Sequence, residues 1–109
     1  MDAETLVKTI AGDKPTLVDF FATWCGPCKM MHPVIEELQK ECSKKLNVLK
    51  VDVDIHTALS AEFAVQSVPT LILFKKDKVL WRHSGAMSLP VLKEQLCKAL
   101  EGEAKGCKA

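Results

Sequence analysis

Residues 17–29 read Leu17-Val18-Asp19-Phe20-Phe21-Ala22-Thr23-Trp24-Cys25-Gly26-Pro27-Cys28-Lys29. Leu17 to Phe21 is an apolar stretch of strand type, interrupted by one acid. Beyond Lys29, the run Met30-Met31-His32-Pro33-Val34-Ile35 continues with helical spacing. Between strand and helix stand two thiols separated by two residues. They can close a small disulfide where the helix begins, which makes the pair a two-electron switch rather than a staple. A strand that leads into Cys-x-x-Cys at the head of a helix is the setting in which this motif reads as redox-active. The rival reading is structural zinc. It requires a second pair of ligands at suitable spacing, and the sequence offers none.

Working outward, Leu6, Val7 and Ile10 predict a short helix over 3–11, ended by Gly12 and Pro15. A strand over 16–22 reads as buried on both faces. The long helix spans 26–43 with Met31, Val34, Ile35 and Leu38 on one face, and Pro33 inside it predicts a kink. A second strand is expected at 47–53 and a short helix at 57–64. Strands at 70–75 and 78–84 form a hairpin across Lys76-Asp77. A final helix over 89–101 turns Leu89, Leu92, Leu96 and Leu100 inward. The order αβαβαββα predicts an α/β fold. Its early strands are parallel, the last hairpin is antiparallel, and helices cover both faces of a mixed sheet.

Length and composition bound the function. The 109 residues suit one domain, with 102–109 a small, polar, flexible tail. The 48% apolar and 27% charged content is that of an ordinary globular chain. A net charge of +1 gives no field for nucleic acid or an anionic membrane. No apolar run approaches the roughly 20 residues of a membrane span. The acidic start Met1-Asp2-Ala3-Glu4 lacks an apolar signal region, so the expected location is cytoplasmic, or nuclear. Five cysteines cannot all pair within one chain.

The chain resembles the thioredoxin family along nearly its whole length. The strings that carry the resemblance are Val18-Asp19-Phe20, Trp24-Cys25-Gly26-Pro27-Cys28-Lys29, Pro33, Lys50-Val51-Asp52-Val53-Asp54, Val68-Pro69-Thr70 and Gly85-Ala86. The resemblance implies a thioredoxin fold with a sheet of about four strands flanked by four helices. The family's usual first strand is missing or vestigial, since only about two residues precede the first helix. Phe21 stands where many bacterial members carry a second Trp, and Asp77 where the hairpin commonly has Gly. The implied activity is reduction of disulfides in protein substrates. The implied partners are thioredoxin reductase, which passes on electrons from NADPH, and oxidised proteins such as peroxiredoxin, methionine sulfoxide reductase or ribonucleotide reductase. No cofactor or metal is expected in the domain beyond the redox disulfide.

Roles follow residue by residue. Cys25 precedes the helix, where unpaired backbone donors and the positive dipole end lower a thiol's pKa. It is the expected nucleophile, and Cys28, one turn deeper and less exposed, is the resolving thiol. Gly26 and Pro27 set the turn between them, with proline well placed in the first turn of a helix. By resemblance, Asp19 lies behind Cys28 and helps deprotonate it, with Lys50 of the neighbouring strand as its partner. X–Pro bonds are cis in only about 5–6% of folded cases, so a cis Val68–Pro69 bond is implied by the resemblance alone. It would place Pro69 beside Cys25 and offer the Val68 backbone to an extended substrate. Trp24 is a flat contact for substrate, and Gly85 leaves room for it to approach.

The remaining residues read more plainly. Cys42 shares the face of Met31, Ile35 and Leu38 and reads as buried and inert. Cys97 borders the apolar face of the last helix. A monomer is expected, with Cys107 the position for an intermolecular disulfide. His32 lies one helical turn past Cys28 and reads as a solvated residue that could tune the site's charge. Trp81 is expected to pack on the sheet. The alternative to a reductase is a thioredoxin-fold binding module that docks one partner under redox control.

Overall fold

The computed structural model describes residues 3–101. Its elements are α1 (Ala3–Ile10), β1 (Thr16–Phe21), α2 (Gly26–Cys42), β2 (Asn47–Asp52), α3 (Thr57–Glu62), β3 (Thr70–Lys75), β4 (Lys78–Ser84) and α4 (Leu89–Glu101). Each expected element is present, with ends within two residues of those read from the sequence. The 102–109 tail and the expectation for Cys107 lie outside the described residues.

Among the described residues the sheet has four strands in the order β2-β1-β3-β4. β1 runs parallel to β2 and antiparallel to β3, and β3 pairs antiparallel with β4. The mixed sheet is therefore as anticipated. The β3–β4 turn takes both residues into the left-handed region, Lys76 at φ 51° and Asp77 at φ 68°. That is the two-residue geometry whose twist suits a hairpin. It is tied down, because the Lys76 and Asp77 N–H groups donate to Gly12 and Ile10 carbonyls at 3.0 and 2.9 Å. The end of α1 thus braces a turn that lacks the usual glycine.

Side chains alternate across a strand, and this alternation decides where the charged residues go. Leu17 packs with Met31, Ile35 and Leu38 of α2 and with Leu92, Leu96 and Leu100 of α4. Val18 and Phe20 pack on the opposite face with Leu6, Ile10 and Leu59 of α1 and α3. Asp19 shares the parity of Leu17 and so belongs to the α2 side. On β2, Val48 joins the α2/α4 cluster and Val51 the other. Lys50 therefore also belongs to the α2 side, and the register sets it directly beside Asp19.

Pro33 lies inside α2, which continues through it from Gly26 to Cys42. An interior proline costs roughly 3 kcal/mol. Burying each large apolar side chain contributes about 1.5–3 kcal/mol. The buried stripe Met31, Ile35, Leu38 and Cys42 is enough to hold the helix together across the break in its ladder.

Candidate functional site

The chain ends of several elements meet at one end of the sheet. β1 arrives there and feeds α2. β3 is antiparallel to β1, so the loop that precedes it lies at the same end. β4 runs back to that end and leaves through Gly85. Topology alone thus gathers Trp24, Cys25, Cys28, Val68, Pro69 and Gly85.

Cys25 and Cys28 are joined by a disulfide with their Cα atoms 5.3 Å apart. Cys25 is the N-cap of α2, in extended backbone geometry at φ −89° and ψ 118°. Its Sγ accepts from the Cys28 N–H at 3.1 Å. A helix leaves its first N–H groups without internal partners, and here one of them points at sulfur. A negative charge on Cys25 Sγ would be stabilised by that donor and by the helix dipole. The same Sγ lies 3.7 Å from the Val68 carbonyl oxygen. The Val68–Pro69 peptide bond is cis, and the Pro69 carbonyl accepts from the Gly85 N–H at 2.8 Å. Gly85 has φ 106°, a backbone conformation that side chains disfavour. Its glycine thus has a conformational reason in addition to any open approach.

One expectation is corrected. Cys28 is not the less exposed of the pair: it is 6% exposed and Cys25 is 3%. Both residues pack in a small apolar cluster with Ala22, Phe21, Val53 and Val68. What distinguishes the two is their surroundings. Cys25 receives a backbone donor, whereas Cys28 lines a cleft of about 350 Å³ with Phe21, Ala22, Thr23, Lys29 and His32.

Asp19 is buried at 3% exposure, and its Oδ1 has no hydrogen-bond partner. Burial pushes its carboxyl up from 3.8 to about 6, against the lowering charges of Lys50 and His32. The Lys50 ammonium acts on Asp19 through its charge, while its hydrogen bond goes to His32 Nδ1. His32 was not read as Lys50's partner in the sequence. The only available signal was the i, i+4 spacing of Cys28, His32 and Glu36.

Trp24 is 70% exposed, and its Nε1 donates to Asp54 Oδ2 at 2.9 Å. Asp52 Oδ1 in turn accepts from the Asp54 N–H at 2.8 Å. Neither acid had been assigned to the site. Met30 at 70% and Ile55 at 72% extend the exposed apolar rim. Trp81 packs as expected: it stacks on His83 with ring centroids 6.0 Å apart and donates to Gln95 Oε1 at 3.3 Å. Cys42 is buried, but it is disulfide-bonded rather than an inert thiol. Helical spacing places a sulfur on a face and says nothing of a second sulfur brought to it. Cys97 lies half-buried against the α2/α4 cluster.

Comparison with known proteins agrees with this geometry. The thioredoxin family model matches residues 1–101. The chain is 45% identical over 95 residues to a thioredoxin of Mycobacterium tuberculosis, covering 87% of this chain and 82% of that one. It is 44% identical over 95 residues to a bifunctional thioredoxin reductase/thioredoxin of Mycobacterium leprae, covering 87% of this chain but only 21% of that longer protein. The crystal structure of Malassezia sympodialis thioredoxin superposes with a TM-score of 0.82 at 30% identity, covering 90% of this chain and 86% of that one.

Proposed function

The chain belongs to the thioredoxin family, and from that premise we propose that it is a protein disulfide reductase working through Cys25 and Cys28. The observation that carries this reading is the Cys25 Sγ at the head of α2, receiving the Cys28 N–H at 3.1 Å. Thiolate is the attacking species in disulfide exchange, and this is the sulfur whose charge the helix stabilises.

Reduced Cys25 attacks one sulfur of a substrate disulfide. A Cys25–substrate bond forms, the substrate S–S bond breaks, and the departing sulfur takes up a proton. Cys28 then loses its proton to Asp19 and attacks Cys25 Sγ. The Cys25–Cys28 disulfide forms and the second substrate sulfur leaves and is protonated. The substrate gains two electrons and two protons. Asp19 suits this role because a carboxyl held near 6 is ionised at neutral pH yet still a usable base. The Val68 backbone beside Cys25, held by the cis bond, offers an edge for an extended substrate, and Trp24 offers it a flat apolar contact.

Recharging requires a reductase that delivers two electrons from NADPH. The Mycobacterium leprae fusion, which names both activities in one chain, supports that partnership. The reading places the protein in a reducing compartment, the cytoplasm. Equilibration with glutathione buffers tests it, with Cys25→Ser as the blank. The expected result is a reversible two-electron couple more reducing than the cytosolic glutathione pool. A clearly more oxidising value would indicate an oxidase or isomerase. No reversible couple would leave only a docking module.

A further inference from the structure

The stripe of α2 that carries Cys28 continues to His32 and Glu36, one turn apart each. His32 faces Lys50 from β2, Glu36, Lys29 and Cys28 from its own helix, and the charge of Asp19 from β1. Lys50 Nζ bonds to His32 Nδ1 and lies 3.3 Å from Nε2. An ammonium has donors only, so Nδ1 is the acceptor of this bond. His32 Nε2 is 3.1 Å from Glu36 Oε2, and its proton is donated to that carboxylate. The ring is thus wedged between a cation and an anion.

The consequence lies with Lys50. Register puts it beside Asp19, among the described residues the one buried carboxyl with an unpartnered oxygen, yet its hydrogen bond is made to the ring. We propose that His32 is a positioning residue for the resolving step: its ring latches the Lys50 ammonium by taking the hydrogen bond that Asp19 would otherwise take. Without the ring Lys50 loses that acceptor. The ammonium is then left beside the unpartnered oxygen of Asp19. An opposite charge within about 4–6 Å lowers a carboxyl's pKa by about 1–3 units, which makes Asp19 a poorer base for the Cys28 proton.

This rests on Asp19 being the acid–base group of the exchange, and its test is chosen to read the latch without substrate. The Asp19 carboxyl is followed by carbon-13 NMR through a pH titration of the oxidised protein. In His32→Ala the Asp19 midpoint should fall by about one pH unit or more, because Lys50 is set free. In His32→Gln it should stay at the wild-type value, since the amide oxygen accepts from Lys50 and never titrates. In a Lys50→Met background, adding His32→Ala should produce no fall. The acid limb of mixed-disulfide resolution should move with the midpoint in His32→Ala and stay in place in His32→Gln. An unchanged midpoint in His32→Ala overturns the latch. A raised midpoint overturns it too, because it shows His32 acting only as one more cation near Asp19. The titration can fail while the glutathione couple stays reversible, and the couple can fail while the titration holds.

Discussion

The interior beneath α2 and the sheet end where α2 begins are built from the same two elements, yet they treat water in opposite ways. In the interior, Leu17, Met31, Ile35 and Leu38 are at most 1% exposed, and every side chain is apolar. One turn away, a carboxyl is buried with an oxygen unpartnered, while Trp24, Met30 and Ile55 stand at 70% exposure or more. A sequence optimised for stability alone would exchange these environments. Departures from local consistency concentrate where chemistry is done, and here they share one end of one sheet. The interior should therefore govern whether the chain folds, and the sheet end what it does once folded.

Leu38→Ala should give the largest loss of stability. Truncating a fully buried leucine costs about 2–5 kcal/mol through lost transfer energy and an unfilled cavity. Denaturant midpoints check this, and the reduction potential of the folded protein should not move. A shifted potential would break the separation between interior and site.

Asp19→Asn should do the reverse, stabilising the fold and slowing the chemistry. The folded carboxyl titrates near 6 against 3.8 for the ordinary group, so between those values the folded state holds the proton that the unfolded state has lost. Stability then falls as pH rises through this window, and the contribution is complete only below 3.8. At pH 8 the ionised, buried group costs about 3 kcal/mol. Asparagine is neutral throughout, so the variant should gain about that much at pH 8 and little at pH 4, while resolution of mixed disulfides slows. Equal gains at both pH values would mean that burial does not hold the carboxyl up.

A smaller effect is expected on the far face. Arg82 donates to the carbonyls of Phe63 and Ala64, closing the end of α3 where Ala64 takes φ 55°. Arg82→Leu should cost about 1 kcal/mol, measured by thermal melting, with exchange rates unchanged.

The comparison also explains what could be read in advance. Helices were legible because their burial is periodic, as Leu92, Leu96 and Leu100 show for α4. The central strands β1 and β3 were legible because they are short, continuously buried runs, the second joined to its neighbour by the Lys76-Asp77 link. The redox pair was legible because strand, turn and helix converge on it within thirteen residues. The partnership of Lys50 with His32 was not. It depends on β2 settling beside β1 in one register, which brings together residues eighteen apart. The bonding of Cys42 and the near-equal burial of the two active-site cysteine residues are likewise products of packing. The cis bond before Pro69 came through family resemblance, since no local property of Val68 or Pro69 selects it.

Trp24 gives the sharpest form of the contrast, because it is large, apolar and scarcely used by the fold. Its ring is 70% exposed and its one polar bond is to the surface acid Asp54. Trp24→Ala should therefore change stability by no more than about 0.5 kcal/mol. An exposed tryptophan at a docking surface is another matter, since truncating such an anchor commonly costs more than about 1 kcal/mol of binding. Expressed in the rate of attack on a protein disulfide, that is a loss of about fivefold or more. A small disulfide such as oxidised glutathione makes no use of the rim, so its rate should hold. Trp24→Phe keeps the ring and removes the bond to Asp54, which separates contact area from the positioning that the bond supplies. Equal losses toward protein and small disulfides would place Trp24 in the chemistry at Cys25 rather than in recognition, and the line between folding and function would then have to be drawn outside the tryptophan.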